Sequence, residues 1–291
     1  MKKYKAIFFD WDGTAVLSRK APVDEVIVPM KKLLAQEIKL IIVSGTTIEN
    51  IAGGKLNEYF TKEELKNLYM GLGRGAYNYA YDEEGQPYLL SHRIPEKEEL
   101  MKIHRVCYEV HEILFNNYDF QTDVLFSRPN YCKIDLMVAN RREENLFFQE
   151  SELEILKKNL DDYGFAGGLT GLVKLAEKVA DKYGMNLSVT TDAKYLEIGV
   201  SCKSDNVNLF LDYLSEKYGI NAEDCTFWGD EYIGLDEGLF GSDSYMKTDC
   251  TRRGDFFDVS EAKGKRPDGV KVLGGGVQTF IRFLSEQGLD N

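Results

Sequence analysis

Long apolar runs are missing from this 291-residue chain, and no stretch is long enough to span a bilayer. Only a few apolar residues separate Met1-Lys2-Lys3-Tyr4 from Asp10, which is too little for a signal peptide. Basic charge is in deficit: 36 Lys and Arg stand against 48 Asp and Glu, a formal net charge of −12. So acidic a surface repels nucleic acid and anionic membranes, and neither is an expected partner. A small phosphorylated metabolite remains compatible, because a local basic pocket can override the global field. Cysteine is sparse. The five residues at 107, 132, 202, 225 and 250 are odd in number and contain no C-x-x-C pair. A disulfide framework and a zinc site are thereby disfavoured, and a reducing cytoplasm is the expected location. The three histidines, His92, His104 and His111, suggest no ligand cluster and are given no role. Internal repeats and low-complexity segments are also lacking.

What is present is periodic apolar sequence throughout, enough for one large domain or two smaller ones. Three short apolar runs share one design. Residues 6–9 lead into Asp10, residues 40–43 into Ser44-Gly45, and residues 226–228 into Gly229-Asp230. Each reads as a buried strand ending in a small or acidic polar residue. Helical patterns at 26–36 and 207–218 precede the second and third strands. Strands alternating with helices predict a parallel, doubly wound sheet of Rossmann-like α/β type. Ligands of such sheets bind beyond the carboxyl ends of the strands, so these polar ends should face one cleft.

The middle of the chain has another rhythm. Helical stretches at 96–115, 143–163 and 172–183 are interleaved with two hairpin patterns. One spans 123–127 and 133–138 around Arg128-Pro129-Asn130, the other 187–191 and 195–200 around Asp192-Ala193-Lys194. The expected organisation is a core of residues 1–84 and 202–291, with an α+β domain of residues 85–201 inserted into it. Arg128, Lys133, Arg141 and Arg142 surround the first hairpin. Most of them read as surface charges, although an anionic substrate group would be within their reach. Gly274-Gly275-Gly276 precedes the last helix and reads as a turn or a close approach to a ligand.

The strongest chemical signal is Asp10-Trp11-Asp12-Gly13-Thr14, directly after an apolar strand. A turn at Gly13 can bring both carboxylates to one mouth. One can then attack phosphorus while the other carries a proton to the leaving oxygen. Neighbouring like charges push their pKa values apart, which suits two different roles.

This segment resembles the D-x-D-G-T motif of the haloacid dehalogenase-like superfamily, and the rest of the chain resembles the remaining motifs in order. Ser44-Gly45-Thr46 resembles the hydroxyl motif that binds the phosphoryl group. Lys203, just before Ser204-Asp205, resembles the phosphate-binding lysine. Gly229-Asp230-Glu231, with Asp236 further on, resembles the acidic motif. The resemblance implies an Asp10 nucleophile, an Asp12 general acid/base, a Lys203 that offsets negative charge, and phosphate contacts from Ser44 and Gly45. It also implies Mg2+ held by Asp10, Asp230 and the Asp12 backbone carbonyl. A second acid belongs nearby, either Glu231 or Asp236, with Asp236 preferred. The insert resembles a type II cap of the larger α/β subtype, as in Cof-type sugar phosphatases, and the spacing of the acidic motif is similar to that of phosphomannomutases. A magnesium-dependent phosphatase of small phosphate monoesters, such as sugar phosphates, is the expected function. A sugar phosphomutase is the alternative, and a non-catalytic binding module on the same fold is a third reading.

Overall fold

The computed structural model describes residues 2–138, 150–192 and 194–289. The strands are β1 (Ala6–Phe9), β2 (Lys39–Val43), β3 (Leu68–Leu72), β4 (Tyr77–Tyr81), β5 (Pro87–His92), β6 (Asp123–Leu125), β7 (Tyr131–Asp135), β8 (Ser188–Thr191), β9 (Tyr195–Gly199), β10 (Cys225–Gly229), β11 (Gly234–Asp236), β12 (Leu239–Phe240), β13 (Asp255–Asp258) and β14 (Val270–Val272). The main helices are α1 (Asp24–Ala35), α2 (Lys62–Leu65), α3 (Lys97–Tyr118), α4 (Glu150–Asp162), α5 (Gly168–Lys182), α6 (Lys203–Tyr218) and α7 (Gly276–Gln287).

Eight strands form one sheet in the order β14-β13-β10-β1-β2-β3-β4-β5. Pairing is parallel from β14 to β3 and antiparallel for β4 and β5. The central strands read as unbroken apolar runs because both faces are covered. Ile7, Phe9, Leu40 and Ile42 pack against Met30 and Leu33 of α1 and Phe280 and Leu284 of α7. The alternate residues Ala6, Phe8, Ile41 and Val43 pack on the opposite face against Val207, Phe210 and Leu214 of α6. The period of two along a strand thus divides one apolar run between two cores.

A second sheet, in the order β6-β7-β9-β8, is antiparallel. The helices of the inserted segment cover one of its faces. There Cys132, Ile134, Leu196 and Ile198 meet Val106 and Val110 of α3 and Leu172 and Val179 of α5. The alternate positions are polar: Tyr131 and Lys133 on β7, Thr190 on β8 and Glu197 on β9. Lys133 and Thr190 both stand opposite Glu197 in register. This polar face is turned toward the carboxyl ends of the large sheet, where its residues share a cavity with Asp10 and Ser44.

The expected boundary at residue 85 falls too early. Asp82–Gly85 is a tight turn, and β5 after it returns to pair antiparallel with β4 in the large sheet. The chain leaves that sheet only beyond His92. Part of the helix expected at 143–163 is present as α4, while residues 143–149, together with Arg141 and Arg142, lie outside the described residues. Among the described residues, no helix is long and apolar enough to cross a membrane.

Candidate active site

Asp10 is the first residue past β1 and only 7% exposed. Its N–H donates to the Trp228 carbonyl at 3.0 Å, which ties the tip of β1 to β10. Asp230 follows β10, so parallel pairing of the two strands brings two acidic residues 220 positions apart to the same level. Gly13 makes their approach possible. It has φ +84, and a Cβ placed there would stand 2.2 Å from Asp230 Oδ2. Only glycine serves both needs. Thr14 Oγ1 then donates to Asp230 Oδ1 at 2.9 Å.

Lys203 opens α6 and points into the same cluster. Its Nζ donates to Asp10 Oδ1 at 3.1 Å and to Asp243 Oδ1 at 2.7 Å. Burial opposes the charge, but Asp10 and Asp243 hold the ammonium above its ordinary pKa. A capping box at Cys202 and Asp205 starts the helix, with the Cys202 N–H donating to Asp205 Oδ2 at 2.8 Å. Asn206, one turn on, fixes the helix to the sheet. Its Oδ1 accepts from the Gly75 N–H at 2.8 Å, and its Nδ2 donates to Asn78 Oδ1 at 2.8 Å.

Burial pushes Asp10 up to about 8, against the pull of Lys203, with Asp243 and Asp12 adding to the rise. Asp230 is also pushed well above the carboxylate range, by burial and then by Asp243, Glu231 and Asp10. Carboxylates crowded in this way are a natural seat for a divalent cation. One oxygen each of Asp10, Asp230 and Asp243 lies within 4.8 Å of the others. An all-oxygen set of this kind suits a hard ion such as Mg2+. Asp243 is already engaged, because its Oδ2 accepts from the N–H groups of Asp230 and Glu231 at 2.9 and 2.8 Å. Asp10 and Asp230 are therefore the side chains best placed to hold the ion, with Asp243 setting the Asp230 backbone and Lys203.

Asp12 has a different environment. Arg19 Nη2 donates to its Oδ2 at 3.4 Å, while its buried Oδ1 has no partner among the described residues. Burial raises its pKa, with Arg19 and then Lys203 pulling it down. A carboxyl whose hold on a proton is raised in this way, and whose Oδ1 no described residue engages, is suited to giving up or accepting a proton. Ser44 is buried at the tip of β2, where its Oγ accepts from the Thr46 N–H at 3.4 Å. Ser44, Gly45 and Thr46 line the same cavity as Asp10, Asp12 and Lys203. The sequence-predicted residues Asp10, Asp12, Ser44, Gly45, Lys203 and Asp230 thus converge on one end of the sheet.

Asp236 does not join them. It lies on the β11–β12 hairpin, which leans on the inserted domain, and its neighbours Ile233 and Leu235 are buried in that domain's core. Asp236 Oδ2 accepts from the Thr170 N–H at 2.9 Å, in the first turn of α5, and Asp236 Oδ1 accepts from the Glu237 N–H at 2.9 Å. The carboxylate satisfies a helix N-terminus that would otherwise lack an acceptor. Its place beside Lys203 is taken by Asp243, which the sequence reading missed. Glu231, the alternative, lines the cavity and accepts from Ser242 Oγ at 2.8 Å.

A family model described as haloacid dehalogenase-like hydrolase matches residues 7–233. No curated protein matches the chain. Among solved structures, an N-terminally truncated, IMP-bound IMP-nucleotidase of Plasmodium falciparum is similar at TM-score 0.60 and 13% identity, over 98% of this chain and 68% of that one. A trehalose-6-phosphate phosphatase of Aspergillus fumigatus is similar at TM-score 0.57 and 15% identity, over 98% of this chain and 93% of that one. At these identities the likeness concerns the fold.

Proposed function

The chain belongs to the haloacid dehalogenase-like hydrolases, and from that premise we propose that it is a magnesium-dependent phosphatase of small phosphate monoesters, with sugar phosphates or related metabolites as substrates. The observation that carries this reading is Lys203 bridging Asp10 and Asp243 at 3.1 and 2.7 Å, beside Asp230 and facing Ser44 across one cavity. A trehalose-6-phosphate phosphatase among the similar folds supports it.

Asp10 and Asp230, with the Asp12 backbone carbonyl, would hold Mg2+. When bound, the ion supplies positive charge against the carboxylates and the phosphate. Lys203, Ser44 and the backbone N–H groups after Ser44 bind and orient the phosphoryl oxygens, as a reaction dominated by positioning and electrostatics requires. An Asp10 carboxylate oxygen attacks phosphorus as the P–O bond to the leaving group breaks. Asp12 gives its proton to the departing oxygen. In the second half, Asp12 takes a proton from water, which attacks the phosphorus of the aspartyl-phosphate and frees Asp10 and inorganic phosphate. The inserted domain, whose polar sheet face closes the cavity, excludes bulk water and presents groups to the leaving group.

Purified protein incubated with a broad panel of phosphate esters should release phosphate with Mg2+ and stop when EDTA is added. No release from any ester would overturn the reading. Exchange between sugar 1- and 6-phosphates without net phosphate release would reassign the site to phosphoryl transfer between sugars.

A further inference from the structure

The cavity has two ends of unlike charge. The catalytic end is dominated by acids around two cations, Lys203 and the Arg19 that pairs with Asp12. Among the described residues, the far end carries three cations, Arg74, Arg128 and Lys133, against two acids, Asp192 and Glu197. The cationic excess sits where a leaving group would project.

Arg74 is the residue on which this turns. It lies in the loop after β3, at φ +55, a backbone conformation that non-glycine residues rarely hold. Its stem packs beside the phosphate loop, where a Cβ on Gly45 would meet Arg74 Cγ at 3.5 Å. Its head reaches across to the inserted domain. Nε pairs with Glu197 Oε2 at 2.8 Å, Nη2 donates to Thr190 Oγ1, and the guanidinium lies 4.8 Å from the centre of the Tyr131 ring. The residue is 5% exposed, yet Nη1 has no partner among the described residues. A buried guanidinium N–H without an acceptor is costly, which marks a place for a ligand atom. Glu197 cannot supply it, since that carboxylate already serves both Arg74 Nε and Lys133 Nζ. Burial works against Glu197, but Lys133 and Arg74 hold it down at about 2, so it stays ionised and committed to these two cations. Arg128 stands exposed at the rim of the same cavity.

Resting on the phosphatase reading of the site, we propose that the leaving group carries a second anionic group, a carboxylate or a further phosphate, held by Arg74 Nη1 with Arg128 at the rim. The chemistry favours an anion over a lone hydroxyl. Nη1 is a charged donor, and a charge-assisted hydrogen bond to an anionic oxygen is stronger than one to a neutral group, while among the described residues the three cations at this end outnumber its two acids. Arg74 is thereby a specificity-determining residue, separate from the groups that bind the transferred phosphate.

The test is a comparison of kcat/KM within matched pairs in the presence of Mg2+. The pairs are 3-phosphoglycerate against glycerol 3-phosphate and 6-phosphogluconate against glucose 6-phosphate. Fructose 1,6-bisphosphate against fructose 6-phosphate separates a phosphate from a carboxylate. In at least one pair the anionic member should be preferred by about 100-fold, and Arg74→Gln should shrink that ratio to within about fivefold. Should Arg74→Gln not melt cooperatively, Arg128→Gln, on the exposed rim, is read by the same ratio and should lower it. Equal turnover of both members of every pair, with p-nitrophenyl phosphate hydrolysed, would overturn this inference and leave the phosphatase reading standing. A uniform loss on both members in Arg74→Gln would mean that Arg74 serves the transferred phosphate or the fold, and would overturn it too. No hydrolysis even of p-nitrophenyl phosphate would remove both readings.

Discussion

Asp10→Asn lowers phosphate release by about 10^5-fold, the scale expected when a covalent nucleophile is removed from an otherwise intact site. The substitution keeps size and shape but takes away the attacking oxygen's charge. It should not unfold the protein. Asp10 is buried among Asp12, Asp230, Glu231 and Asp243, and burial pushes its pKa up to about 8, so its ionised form is unfavourable in the empty fold. Lys203 keeps its 2.7 Å contact with Asp243 in the variant. A melting temperature in EDTA equal to or above that of the parent, together with the lost rate, separates a chemical role from a structural one. A variant that retains more than a tenth of the parent rate would remove Asp10 from the chemistry.

The second large effect distinguishes two acids of one loop. Asp243 is fully buried and accepts from Lys203 Nζ and from the N–H groups of Asp230 and Glu231. Asp243→Ala strips the Asp230 and Glu231 N–H groups of their acceptor and leaves Lys203 Nζ with Asp10 alone. It should cost about 3 kcal/mol of stability, the scale of a broken buried ion pair, and about 10^3-fold in kcat as Lys203 and Asp230 lose their positions. Asp236→Ala removes the acceptor for the Thr170 N–H and for the neighbouring Glu237 N–H, both away from the reacting centre. It should cost about 1 kcal/mol, as the loss of a helix cap does, and keep kcat within about threefold, because nothing at the reacting centre moves. Thermal melts and steady-state rates on the two variants settle the order. The reverse ranking would restore Asp236 to the metal site.

These two acids also show where sequence reading reaches its limit. Asp10 and Asp12 were legible because they end an unbroken apolar strand and are followed by a glycine that the turn requires. The carboxyl ends of β2 and β10 were legible for the same reason. Lys203 carries little signal by itself and gains meaning from its order among the motifs. Asp243 gave none. The chain between it and Asp230 folds out as the β11–β12 hairpin and returns, so the functional spacing is set by packing against the inserted domain rather than by residue count. Asp236 is the nearer acid in sequence, but a contact 66 residues away claims it. Asn206 and Arg74 act through tertiary contacts alone, with Gly75 and Asn78 in one case and with Thr190 and Glu197 in the other. The polar face of the inserted sheet was half legible. The alternation Tyr131-Cys132-Lys133-Ile134 marks a two-faced strand, but not what its polar side faces. The early domain boundary arose because Asp82–Gly85 reads as the turn that ends the core before the insert, whereas that turn closes a hairpin inside the large sheet.

The central claim is a covalent phosphoryl intermediate on Asp10. Enzyme quenched in acid during turnover with Mg2+ and a good ester, then treated with borohydride, should yield a peptide in which Asp10 alone has become homoserine, the reduction product of an aspartyl-phosphate. An unmodified Asp10 under conditions of steady phosphate release, or the modification at Asp12 instead, would contradict the account.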